Sequence, residues 1–139
     1  MKRIRTLRGT IDGNTVKRLI VDDGRFNNGL KVTAFYVWAS SQESTGDPGC
    51  VLGIDEDMNN KWDASDNRQI GWAGMTTSPS SRIMDFSLID PDHIVVSDLF
   101  INNFTVDIAN YMVVLEAVEL SDDQAILALI KERAQDDLD

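Results

Sequence analysis

The 139-residue chain carries 42% hydrophobic and 26% charged residues, ordinary globular proportions that exclude disorder and give enough length for one packed core. A single cysteine, Cys50, excludes an intrachain disulfide and argues against a cysteine-built zinc site. The net charge of −10 argues against general nucleic-acid binding, and no apolar run approaches the roughly 20 residues of a membrane span.

In chain order, MKRIRTLRGT is charged, lacks the apolar stretch of a signal peptide, and reads as a short edge strand or an arm. Assembly in a reducing cytoplasm is the matching expectation. TIDGNTV holds an Asp-Gly-Asn turn signal, and VKRLIVDD reads as a strand closed by the turn cluster DDGRFNNG. LKVTAFYVWAS is dense in β-branched and aromatic residues, and alternation sets Val32, Ala34, Tyr36 and Trp38 on one face. A polar loop, SSQESTGDPG, precedes the short apolar run CVLGI, and DEDMNNKWDASDN is a second, longer loop. QIGWAG, RIMDFSLI, HIVVSDLFI and YMVVLEAVEL then read as strands, with MTTSPSS and DPD as breaks.

Seven or eight strands without helical crossovers predict a mainly β, antiparallel β-sandwich or jelly-roll-like fold, or a closed barrel, with one C-terminal α-helix. The helix is predicted because Ser121 and Gln124 have capping-box spacing, and Asp122 and Asp123 occupy the first turn. Ile126, Leu129, Ile130, Arg133 and Ala134 follow 3.6-residue spacing and define its apolar stripe, with Leu127 and Leu138 off it. It must dock on its own sheet or on a neighbouring subunit, since a helix of this length is marginal alone. The chain thus divides into a basic arm or edge strand (1–18), a sandwich domain (19–119) and an acidic amphipathic helix (120–139).

Charge is distributed unevenly. Residues 1–18 hold Lys2, Arg3, Arg5, Arg8, Lys17 and Arg18 against one acid, Asp12, whereas 116–139 holds eight acids against Lys131 and Arg133. The two ends attract each other, within a subunit or between copies, and the basic arm leaves a narrow opening for nucleic acid. These six basic residues, together with Ile126, Leu127, Ile130 and Leu138, are the expected interface.

Signals for catalysis are weak. His93 is the sole histidine, no G-x-S-x-G elbow or phosphate-cradling glycine loop is present, and Cys50 lies in an apolar run typical of a buried thiol. One pattern is chemically specific: Asp55, Asp57, Asn59, Asp63 and Asp66 fall at positions 1, 3, 5, 9 and 12 of a calcium loop. Asn60 stands at the glycine position, Trp62 at the aliphatic one, and Asp66 is shorter than the usual glutamate. A solvated acidic loop is the competing reading. Trp38 and Trp72 sit in strand-like runs as core or interface residues, while Trp62 suits an exposed contact, with sugar stacking as one outcome.

LIVDDG, RQIGWAG, HIVVSDLFI and NYMVVLE together resemble segments of small virion-associated proteins of marine bacterial viruses. The resemblance spans scattered pieces from Arg18 to Glu116 and implies a β-rich structural component of a virus particle, with no catalytic residue carried over. The expected function is therefore a capsid, vertex, cement or head–tail subunit acting through homo-oligomeric and virion contacts, without enzymatic activity or membrane association. A glycan- or calcium-dependent binding module of sandwich fold is the alternative.

Overall fold

The computed structural model describes residues 4–20, 28–40, 47–77, 83–95 and 98–119, and beyond them Leu127 and Ile130. The described residues form nine strands: β1 (Ile4–Ile11), β2 (Thr15–Leu19), β3 (Asn28–Ala39), β4 (Gly49–Gly53), β5 (Gln69–Thr77), β6 (Ile83–Ile89), β7 (Ile94–Val95), β8 (Leu99–Asn103) and β9 (Ala109–Glu119). They form two antiparallel sheets, β1-β9-β3-β7 (sheet A) and β2-β8-β4-β5-β6 (sheet B). With β6 set aside as an added edge strand, this is the 1-8-3-6 and 2-7-4-5 strand order of a jelly roll. The predicted helix lies outside the described residues except for Leu127 and Ile130, both in helical conformation.

The core fills the space between the sheets. Sheet A contributes Val32, Phe35 and Val37 of β3 with Tyr111, Val113 and Leu115 of β9. Sheet B contributes Cys50, Leu52, Ala73, Leu99 and Ile101. Alternate positions face outward, as the two-residue period of a strand requires. The expected common face of Val32, Ala34, Tyr36 and Trp38 is corrected, because a bulge between Val32 and Ala34 inserts Thr33 and reverses the phase. Val32 is buried, whereas Tyr36 and Trp38 are exposed beyond the bulge.

HIVVSDLFI is likewise two strands, not one. Its first part pairs with β3 in sheet A and its second with β2 and β4 in sheet B. At the crossing Asp98 is buried and accepts from Arg18 Nε at 2.6 Å, so this charged residue marks the change of sheet.

Residues 4–18 are built into the sandwich as edge strands. β1 pairs with β9 from Ile4↔Glu116 to Ile11↔Ala109, and β2 pairs with β8 in the other sheet. The chain changes sheet at Asp12-Gly13-Asn14, with Asn14 at φ 56°, a conformation asparagine tolerates. Gly13 lies against the Val106 carbonyl, leaving no room for a side chain. Asn103, fully buried, fastens this corner. Its amide donates to the Asp12 and Asp107 carbonyls at 3.2 and 2.8 Å, and its Oδ1 accepts from Thr105 N and Oγ1 at 3.1 and 2.6 Å.

Candidate functional site

The connection from Ile54 to Arg68 folds over the outer face of sheet B and is held by its own polar side chains. Asp66 is its anchor: the side chain is fully buried and accepts from Asn59 N (2.8 Å), Arg68 N (3.0 Å) and Arg68 Nε (3.0 Å). Gln69 completes the frame. Its Oε1 accepts from Asp63 N and Trp72 Nε1, and its amide donates to the Asn59 and Lys61 carbonyls. Asn102, buried on β8, donates to Asn60 Oδ1 at 2.6 Å, and Met58 and Val51 are buried beneath the loop.

Four of the five expected calcium-ligand side chains, those of Asp55, Asn59, Asp63 and Asp66, make hydrogen bonds within this loop. Asp55 Oδ1 accepts from Asp57 N. Asp63 accepts from Asn59 Nδ2, Ser65 N and Ser65 Oγ, and Asp66 is engaged by Arg68. Among the described residues no three His, Cys, Asp or Glu side chains converge as a cation site requires. The hydroxyl of Ser65 is the first cause holding the Asp63 carboxyl below the usual aspartate range, followed by the Asn59 amide.

Trp62 latches the loop to the sheet. Its Nε1–H donates to the Cys50 carbonyl at 3.1 Å, and its ring sits edge-on between Phe86 (4.6 Å) and Phe104 (5.2 Å). The seat exists because Gly49 and Gly74 are directly paired across β4 and β5 and present bare backbone. A Cβ on either glycine would stand 2.6 Å from the indole. The expectation of an exposed Trp62 is thus half met, since one side of the ring is covered.

Phe86 also faces a second feature. Where β3 and β6 run side by side, Tyr36, Trp38, Phe86, Ser87 and Met112 line an open groove of about 500 Å³. Ser87 Oγ donates to the Phe35 carbonyl and closes the seam behind it. Tyr36 and Trp38 on one side, and Phe86, Trp62 and Leu88 on the other, make one strip of aromatic and aliphatic surface. Sequence reading missed this strip because the bulge at Thr33, which turns Tyr36 and Trp38 outward, leaves no compositional mark.

The basic residues expected at an interface are dispersed. Arg18 is held by Asp98, Lys17 lies 5.4 Å from the centroid of the Tyr111 ring, and Arg5 donates to the Ile20 carbonyl. Arg8 is exposed on the outer face of sheet A, opposite Met112. Lys2, Arg3, Ile126 and Leu138 lie outside the described residues, and Leu127 and Ile130 are exposed. Cys50 is fully buried, and burial pushes its thiol up to about 12, the opposite of what a nucleophile needs. His93 is buried as well. Among the described residues no helix is long and apolar enough to cross a membrane.

The class these observations define is a jelly-roll β-sandwich with an aromatic groove at the seam between its sheets. The sequence matches no protein-family model and no curated protein.

Proposed function

We infer that the chain is a structural subunit of a virus particle, held there by contacts with copies of itself and with neighbouring virion proteins. One observation carries the reading: the strip of exposed Trp38, Tyr36, Trp62 and Leu88, with half-buried Phe86 between them, across the β3–β6 seam. Contiguous apolar surface of this kind marks contact sites, and aromatic rings supply much of the binding energy in protein interfaces. Jelly rolls are recurrent units of viral capsids, which agrees with the resemblance of the strand segments to virion-associated proteins. The inert state of Cys50 supports a role by contact rather than by catalysis. Nucleic acid is left to the exposed basic side chains of the first strand, Arg5 and Arg8.

Light scattering on the purified full chain at rising concentration tests the reading. The expected mass is a stable multiple of the 15.5 kDa subunit. A strict monomer at high concentration overturns it.

A second reading has one observation in its favour: exposed tryptophan and tyrosine rings on a jelly-roll sheet suit sugar stacking. Sugar recognition also needs polar groups beside the ring platform. Near the groove, the Ser87 hydroxyl is spent on the Phe35 carbonyl and the Asn110 amide on the Ala39 carbonyl. Tryptophan fluorescence titrated with oligosaccharides, and thermal melting in millimolar calcium, separate the readings. A saturating quench or a raised melting temperature moves the assignment to a binding module.

A further inference from the structure

Resting on the reading that the chain assembles with copies of itself, we propose that β1 pairs antiparallel with β1 of a second copy, about a two-fold axis at Leu7. The sheet edges differ in what they offer a partner. β7 spans two residues, β2 spans five and carries Lys17 and Arg18, and Ser87 of β6 bonds across the seam to β3. β1 spans eight residues at the end of sheet A, holds no proline, and among the described residues is paired with β9 alone. Ile4, Arg5, Thr6, Arg8 and Thr10 are all exposed. A long, regular edge of this kind accepts a further strand.

Backbone direction fixes which residues of β1 can bond outward. Thr33 Oγ1 donates to the Val114 carbonyl, so the backbone groups of Val114 point at β3. In an antiparallel ladder the groups of the next residue point the other way. Tyr111, Val113 and Leu115 therefore face β1, where they pair with Gly9, Leu7 and Arg5. Thr6, Arg8 and Thr10 direct their N–H and C=O groups away from β9. With the axis at Leu7, Thr6 meets Arg8 of the second copy, Ile4 meets Thr10, and Arg5 meets Gly9. The outward-directed residues then oppose one another and form about eight hydrogen bonds.

Charge selects the same register. Directly opposed residues share a face, and Arg5 and Arg8 lie on opposite faces of β1, so they never oppose each other. An axis at Arg5 or Arg8 would set like charges against each other, and an axis nearer either end would pair fewer residues. At Leu7 both arginines meet uncharged residues, and Gly9 has no side chain to crowd Arg5. The arginines thus penalise other registers and permit this one. The contact is isologous and closes as a dimer with one eight-stranded sheet, two copies of the four-stranded β7-β3-β9-β1 order joined at β1. Its axis is perpendicular to the sheet, so both outer faces lie on the same side. The two β3 strands are then five strand spacings apart, about 24 Å. Both aromatic grooves stay open and face the same way, a matched pair of sites for further contacts.

Two variants test the register in the full chain. Thr6→Lys, at an exposed position, sets a cation opposite Arg8 of the second copy and is expected to weaken dimerisation about tenfold by light scattering. Thr6→Lys with Arg8→Glu is expected to restore it. Leu7→Cys, oxidised, is expected to link two subunits through position 7 at twice the 15.5 kDa mass, because the axis brings the paired Cα atoms to about 4.5 Å. The native thiol of Cys50 is buried and stays protonated, so it takes no part in the exchange. Unchanged dimerisation of Thr6→Lys, failure of the double variant to restore it, or no position-7 link in a folded, assembled Leu7→Cys chain overturns the proposal but leaves self-assembly standing. A monomeric unmodified chain removes both.

Discussion

The latch formed by Trp62 makes a prediction that a double-mutant cycle can decide. Trp62→Ala removes a ring packed on Gly49 and Gly74 and flanked by Phe86 and Phe104. The indole is 39% exposed, so roughly 150 Å² of it is covered, worth about 3–4 kcal/mol at ~25 cal/mol per Å². The ring contacts add to this, and relaxation of the loop offsets part, leaving an expected loss of about 3–4 kcal/mol. Gly74→Ala attacks the same contact from below. Its new Cβ stands 2.6 Å from the indole and 3.1 Å from the Pro48 carbonyl, so the ring must leave its seat, at about 2–3 kcal/mol. Independent effects would sum to about 5–7 kcal/mol, but once the indole is gone the added methyl group has lost its main obstacle. The double variant is therefore expected near 4 kcal/mol, a coupling of about 2 kcal/mol. Urea unfolding followed by far-ultraviolet circular dichroism measures all four corners, with Trp38 and Trp72 as fluorescent reporters. Additivity within about 0.5 kcal/mol would refute the seat as drawn.

Asp66→Asn leaves the half-buried Arg68 facing an amide in place of a buried carboxylate, and is expected to cost about 3 kcal/mol in urea unfolding. Asp63, with its pKa lowered first by Ser65, stays ionised in the folded chain at pH values where the unfolded chain has taken up a proton. Its contribution is present above the unfolded pKa and is lost as pH falls through the folded value. A nuclear magnetic resonance titration should show Ser65→Ala moving the Asp63 midpoint upward, and an unmoved midpoint removes Ser65 as the cause. Cys50 in the native chain should resist a water-soluble thiol reagent at pH 8 and react at the rate of unfolding, because it is fully buried and burial pushes its thiol up to about 12. Rapid stoichiometric labelling would contradict its burial.

The sandwich was legible where side-chain alternation and turn chemistry agree. Asp12-Gly13-Asn14 announces its corner, and the Val32–Trp38 and Tyr111–Leu115 runs announce the two central strands of sheet A. What failed did so for local reasons. Alternation counts residues, so one inserted position at Thr33 inverted every later assignment on β3 and hid the groove. HIVVSDLFI is apolar throughout, and hydropathy carries no sign of a strand that changes sheet at a buried aspartate. The acidic loop was legible as a set of oxygen-bearing side chains but not as to their purpose. An Asp-x-Asp-x-Asn run supplies Asx turns as readily as metal ligands, and the partners that hold the loop, Arg68 and Gln69, lie after the motif. Gly49 and Gly74 are 25 residues apart, so nothing in their local context signals that they form one platform.

Loop and groove meet at Phe86, and that shared residue ties the stability of the loop to the shape of the proposed contact surface. One side of its ring abuts Trp62 at 4.6 Å, while the same residue lines the groove beside Tyr36 and Trp38. Asp66, Gln69 and Asn102 hold the loop, the loop holds Trp62, and Trp62 supports Phe86 in one wall of the groove proposed as a contact surface. A contact surface needs walls that keep their shape without the partner, since ordering a loose side chain on binding costs about 0.5–1.5 kcal/mol. The buried polar frame does not itself line the groove, yet it supplies that rigidity. Loss of the latch should therefore weaken assembly at temperatures where the sandwich is still fully folded, whereas a loop that merely stabilised the monomer would release the assembly only as the chain unfolds.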